Sequence, residues 1–201
     1  AMLNAAAKTG YKMTRVIAPM PNVSGRSFLV YPNRRWVNPV ADGTMDNPQG
    51  SFTPDMSWTR KDGGYVDLNT RIWYFTDYYA LSPGMVTQTP GKGAKYGMAF
   101  VDSQGNAITG DNNYVIRLPA KIPAENFWSI TLYEMENASG LANGQPFPSL
   151  GSRDKPVQNA DGSTDIYLGQ NAPPGKEGNW LATPKGRGYF VIFRFYGPTK
   201  E

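Results

Sequence analysis

The chain has 201 residues, 40% of them hydrophobic and 18% charged, with a formal charge of +4 and neither histidine nor cysteine. That is enough chain to bury a core as one domain, and its composition is that of a globular protein rather than a disordered one. The two absences exclude histidine-dependent serine triads, cysteine nucleophiles, disulfides and Cys/His zinc sites, so any metal would need oxygen ligands.

Residues 2 to about 17 place Leu3, Ala6, Ala7, Tyr11 and Met13 at a loose helical spacing, weakened by Gly10 and stopped by Pro19 and Pro21. The same segment lacks the apolar centre of a signal peptide, and Ala1 ahead of Met2 reads as a tag remnant. Residues 19 to 64 are punctuated by Pro, Asn, Gly and Asp and read as an extended arm, so 1–64 is expected to pack on a body formed by 65–201. A second helix is predicted near 68–82, from Leu68, Ile72, Phe75, Tyr79 and Leu81, with Pro83-Gly84 ending it.

From residue 95 the pattern changes to period two. "KYGMAFVDSQGNAITGDNNYVIRLP" gives strand, turn, short strand, turn, strand, with Tyr114, Ile116 and Leu118 on one face and Val115 and Arg117 on the other. "AENFWSITLYEMENASG" supplies a strand over about 126–135 with Trp128, Ile130 and Leu132 in the core. "STDIYLG" and "GYFVIFRFYGP" supply two more, separated by long loops at 137–160 and 169–186. Glycine (22), proline (17) and 13% aromatic residues fit this alternation of short strands and turns. The expected fold is mainly β, an antiparallel jelly-roll-like sandwich with an N-terminal helix, an arm and one further helix.

The basic residues fall in isolated pairs such as Arg34-Arg35, Arg60-Lys61 and Lys185-x-Arg187 rather than a stripe, so no nucleic-acid partner is expected. No apolar run approaches the roughly 20 residues of a membrane helix.

Candidate chemistry is sparse. Glu134 and Glu136 stand two apart at a strand end, where a shared face would separate them by about 6.5 to 7 Å. That overlaps the carboxylate spacing of inverting glycosidases, and the plainer reading is two acids in water as the strand leaves the sheet. "PPGKEGNWL" frames Lys176, Asn179 and Trp180 in a Pro/Gly loop. With Arg71 and Tyr78 from the second helix they would form a cationic and aromatic pocket for a small polar ligand. The same loop also suits a structural role, with Trp180 plugging the sandwich end. Arg71 ("TRIWYF") and Arg194 ("VIFRFY") lie in apolar settings where a desolvated guanidinium needs a partner, and an internal carboxylate is favoured over a bound anion. The aromatic cluster Trp73, Tyr74, Phe75, Tyr78 and Tyr79 reads as core ahead of ligand stacking. "DSQGNAITGDN" and "NADGSTD" lack the glycine and glutamate of a calcium loop, and hairpin turns explain them; "GKGAK" lacks the P-loop spacing. No metal and no cofactor is expected.

Four stretches together resemble a known family: "DLNTRIWYFTDYYALSPGM", "KYGMAFVDSQGNAITGDNNYVIRLPAKIPAENFWSITLYE", "NADGSTDIYLGQNAPPGKEGNWL" and "GYFVIFRFYGP". They are similar, in order and spacing, to the C-terminal half of bacterial proteins carrying the domain of unknown function 1214, usually preceded by domain 1254. The similarity covers about residues 65 to 198. It implies a jelly-roll-like sandwich in proteins often exported from the bacterial cytoplasm, with no established biochemical role. The preceding domain is missing here and the chain stops soon after "FRFYGP", which implies a fragment or stand-alone half. The leading expectation for function is a non-catalytic binding or assembly module taking a small polar or carbohydrate ligand, a second subunit or the absent domain. The alternative is a carboxylate-based hydrolase or lyase acting on a sugar-like substrate.

Overall fold

Seven strands form among the residues that the computed structural model describes, 2–17, 34–37 and 93–199, five of them from the period-two segments; the short strand expected between the two turns is reduced to an isolated bridge, Thr109 to Gly188. These residues divide between two compact units, one holding 2–17, 34–37 and 97–105, the other 93–96 and 106–199. In the first unit, α1 (Met2–Ile17) takes the predicted helix, and its side chains from residue 2 to 10 are exposed. Val37 and Met98 exchange two backbone hydrogen bonds of 2.8 Å there, and both are buried. The helix predicted near 68–82 and nearly all of the arm lie outside the described residues.

The second unit is built on two sheets. One has the order β1 (Ala94–Ala99), β7 (Tyr189–Pro198), β3 (Ala124–Glu134) and β4 (Ser149–Gly151), with β1 continuing into the first unit. The other has the order β2 (Tyr114–Leu118), β5 (Thr164–Gly169) and β6 (Trp180–Ala182). The fold is thus mainly β, with two sheets and an N-terminal helix among the described residues.

The β3–β7 pair is antiparallel and long, with Trp128 opposite Phe195, Ile130 opposite Phe193, Leu132 opposite Val191 and Glu134 opposite Tyr189. Strand side chains alternate between faces. One parity of this pair therefore carries a row of large apolar groups, and the other carries Phe127, Ser129, Thr131 and Tyr133 opposite Tyr196, Arg194, Ile192 and Phe190. The apolar row meets the second sheet, where the Tyr114 ring stands edge-on to Tyr189 at 6.5 Å between centroids. Ile130, Leu132, Ile166, Leu181 and Val191 are all at most 1% exposed. Each such side chain contributes about 1.5 to 3 kcal/mol by leaving water. Trp128 is buried too, so the core face expected for this strand is the observed one.

Two regions read as loops contain short strands. β4 and β6 have only three residues each. One pairing also departs from the antiparallel expectation, because β6 runs parallel to β5, with Tyr167 opposite Trp180 and Gly169 opposite Ala182. Residues 170–179 make the return crossing that a parallel pair requires. The Asn179 amide pins its end, donating to Asp165 O at 2.9 Å and Val157 O at 2.8 Å while Oδ1 accepts from Val157 N at 2.7 Å.

Ile130→Ala is expected to cost about 2 to 5 kcal/mol through the cavity it leaves, read as a fall in urea midpoint, and so is Phe193→Ala. An unchanged midpoint for either would mean the core face is misassigned. Tyr189 behaves differently: its buried hydroxyl sits beside Thr183 without a well-formed hydrogen bond, and burial raises its pKa. Tyr189→Phe removes an unsatisfied polar atom whose desolvation costs about 1 to 3 kcal/mol. Thermal unfolding is expected at the same temperature or higher, and a marked fall would show that the hydroxyl is well paired.

Candidate functional site

Pro119 and Pro123 lack the amide hydrogens a continuing strand needs, so the chain passes from β2 to β3 as a loop presenting exposed Lys121. At the start of β3, Ala124 pairs with Pro198 and Phe127 with Tyr196, leaving one extra residue on the β3 side. This bulge re-aims Asn126. Opposite it, Gly197 has φ of 63°, and a Cβ there would stand 2.7 Å from Asn126 Nδ2, so glycine suits the position on two counts.

A second turn closes the same end. Gly151 N donates to Asp154 Oδ2 at 2.7 Å, and a Cβ on Gly151 would run into the Trp128 carbonyl. Ser152 Oγ accepts from Trp128 N at 3.2 Å, tying this 3₁₀ turn (Ser152–Asp154) to β3. Lys155 follows in the left-handed region, at φ 54° and ψ 54°. Pro156 disfavours the right-handed helical region for the residue before it.

Between these turns and the start of β5 lies a groove of about 660 Å³, within the usual size of a small-molecule site. Lys121, Lys155, Asn126, Gln158, Ser152 and the edge of Phe127 contribute to its lining, which contains no aspartate or glutamate. The Phe127 ring stacks on Tyr196 at 4.0 Å and carries the Arg153 guanidinium 3.9 Å from its centroid. Two groups that close to one centroid must occupy opposite faces, so Arg153 is held at the rim by a cation–π contact. None of these groove residues stood out in the sequence; the signals were the Pro–Lys–Pro spacing at 119–123 and the Lys-Pro step at 155–156.

The residues singled out from sequence are arranged differently. Glu134 and Glu136 do not share a strand face, because β3 ends at Glu134 and Glu136 lies in the turn that follows. Glu136 is exposed as expected, whereas Glu134 is 4% exposed and its Oε1 is ion-paired with Arg187 Nη2. A carboxylate buried at a strand end needs such a cation, which the loop before β7 supplies. Tyr133 belongs to the other face of β3, so it and Glu134 do not line one cavity.

Asn179 is buried, with both amide nitrogen and oxygen engaged as the clip described above. Trp180 donates Nε1–H to Gly169 O at 2.9 Å. Lys176 is half-buried, and its charge favours the ionised form of Asp165. Asp165 is held mainly by Arg117, which donates from Nε at 2.7 Å and Nη2 at 2.8 Å, with Asn159 Nδ2 adding a bond at 3.2 Å. These bonds outweigh burial and hold its carboxyl below the usual range. Arg71 and Tyr78 lie outside the described residues.

Arg194 corrects another expectation, since no carboxylate pairs with it among the described residues. Its Nη1 donates to Thr131 Oγ1 at 2.9 Å and its Nη2 to Tyr133 Oη at 2.5 Å, with the Tyr96 and Tyr133 rings 5.9 and 5.4 Å away. Its strand neighbours across β3 are hydroxyl-bearing residues rather than acids, which is why the ion pair is replaced by hydroxyl acceptors.

Residues 93–200, which include both sheets and the groove, match the family described as protein of unknown function DUF1214. The chain belongs to that family. Among solved structures, this DUF1214 chain is similar to the VPA0106 protein of Vibrio parahaemolyticus, at 26% identity and a TM-score of 0.50, over 70% of this chain and 33% of that one. An uncharacterised protein from Burkholderia cenocepacia aligns at 20% identity with a TM-score of 0.40, over 54% of this chain and 27% of that one. The DUF1214 chain therefore spans a third or less of the length of either. No curated protein matches it. No helix among its described residues is long and apolar enough to cross a membrane.

The Asp165–Arg117 pair gives this DUF1214 domain a pH signature. With the folded pKa of Asp165 depressed, the pair stabilises the fold above the ordinary carboxylate range, and that contribution is lost as pH falls through the depressed value. Arg117→Ala should lower the melting temperature at neutral pH, with the gap to wild type narrowing toward about pH 2, where the carboxylate is protonated. A gap that stays constant or widens in acid would locate the pair's effect elsewhere.

Proposed function

We propose that this DUF1214 domain is a non-catalytic binding module, and that the groove at the start of β3 takes a small, polar, negatively charged ligand such as an acidic sugar. The observation that carries the reading is the groove lining: two lysines, amide and hydroxyl groups, and no carboxylate. Lys155 adds weight, because a non-glycine residue in the left-handed region costs about 1 to 3 kcal/mol, and such strain concentrates at ligand clamps. Arg153, fixed on Phe127, places a third cation at the rim. Pro119, Ile122, Pro156 and the edge of Phe127 supply apolar lining for the carbon side of a sugar ring. A hydrolytic reading requires two acids facing one substrate. Glu134 is buried against Arg187, and Glu136 lies beyond the end of its strand.

The test is titration of the domain with galacturonate and glucuronate oligomers and with their neutral counterparts. Acidic oligomers are expected to bind in preference to neutral ones. Lys121→Ala combined with Lys155→Ala should weaken that binding by about tenfold or more, as expected for losing two charge-assisted contacts, at a nearly unchanged melting temperature. Glu134→Gln should leave affinity unaltered, with no turnover of either oligomer by wild type. Equal binding of neutral and acidic oligomers, indifference to the double substitution, or turnover abolished by Glu134→Gln would each overturn the reading.

A further inference from the structure

The opposite parity of the β3–β7 pair carries a second feature, independent of the groove. Arg194 is half-buried on the face that includes the buried residues Phe190 and Ile192. Of its five N–H groups, two are directed at protein hydroxyls, those of Thr131 and Tyr133. The hydroxyls have a fixed direction. Ser149 Oγ donates to Ile130 O at 3.1 Å, so in its 3.0 Å contact with Thr131 it accepts, and the Thr131 hydrogen is directed away from Arg194. Tyr133 is different, since its oxygen accepts from Arg194 and its own hydrogen has no acceptor among the described residues. Its ring is held in place by stacking on Phe190 at 5.4 Å.

A guanidinium in this position is costly to desolvate and ordinarily acquires an anionic partner. Here the cluster offers remaining guanidinium N–H groups and one phenolic O–H. The partly exposed rings of Tyr96 and Tyr133 lie at the guanidinium carbon. A guanidinium fork matches the two oxygens of a carboxylate, and the phenol adds a third donor. The single positive charge suits a monoanion rather than a phosphate dianion, and the flanking rings suit an apolar or aromatic body. We propose that Arg194, Tyr133 and Tyr96 form a binding site for an organic monocarboxylate, with Arg194 and Tyr133 holding the carboxylate and Tyr96 flanking its apolar part.

The experiment titrates the whole, isotope-labelled chain with benzoate, and in parallel with benzyl alcohol and with inorganic phosphate, following the Arg194 Nε–Hε resonance. Benzoate is expected to shift that resonance saturably, whereas benzyl alcohol leaves it in place and phosphate binds at least tenfold more weakly, since it matches neither the charge nor the flanking rings. Arg194→Gln should abolish the binding. Tyr133→Phe keeps the stacked ring, removes one donor, and should weaken benzoate by about tenfold, the scale of a hydrogen bond to a charged group; it also serves as the deciding variant should Arg194→Gln fail to fold. Lys155→Ala should have no effect, which separates this site from the groove. An unmoved Arg194 resonance in wild type, benzoate affinity retained in folded Tyr133→Phe, or phosphate binding as tightly as benzoate would overturn the assignment.

Discussion

The antiparallel register between β3 and β7 is the constraint on which the second unit depends. Setting Ile130 opposite Phe193 and Leu132 opposite Val191 puts the central residues of one parity into the core. A slip of one residue would exchange that row for Phe127, Ser129, Thr131 and Tyr133 and bury hydroxyls and a guanidinium in its place. The cost of such an exchange makes the register steep. It also fixes everything at the two ends of the pair. At the far end, Glu134 arrives opposite Tyr189 within reach of Arg187. At the near end, the extra residue before Phe127 has to be absorbed as a bulge, and that bulge becomes one wall of the groove.

Legibility in the sequence followed from periodicity. β3, β5 and β7 are six residues or longer and alternate or run apolar between turn signals, so hydrophobic pattern alone locates them. β4 and β6 are too short to show any period, and they exist because backbone partners on Ile130 and Leu168 are available. Local sequence contains no information about such partners. Asn179 illustrates the same limit. In a Pro/Gly loop an asparagine looks like a ligand contact, yet three of its hydrogen bonds go to backbone atoms from residues 157 and 165, far along the chain.

The charged residues were harder still to read. A desolvated arginine in "VIFRFY" correctly signalled an unusual environment, but the identity of its acceptors depended on which residues β3 places across from it. Thr131 and Tyr133 were visible as the semi-polar parity of β3; that they would serve Arg194 was not, because cross-strand pairing is a tertiary fact. Glu134 was read as solvated for the same reason. The strand end was placed correctly, while the cation that permits its burial lies 53 residues on (187 − 134), in a loop without periodic signal.

A common pattern underlies the groove and the Arg194 cluster. The described acids of the second unit are largely engaged in holding the fold. Asp111 accepts from Gly186 N, Asp154 from Gly151 N, Asp161 from Ser163, and Glu177 from Gly175 N, while Asp165 and Glu134 are ion-paired. Carboxylates are acceptor-only when ionised, so they suit turns, where backbone N–H groups need acceptors. Lysine and arginine offer no acceptor and cannot serve there. Ion pairs hold the two buried carboxylates, Glu134 and Asp165, while Asp111, Asp154, Asp161 and Glu177 serve turns at the surface. The groove lining differs from this mixture of charges, with two lysines and no carboxylate among its residues. The acids are thus placed by the needs of turns and strand ends, before any ligand is considered, and an anion is the occupant proposed for both sites.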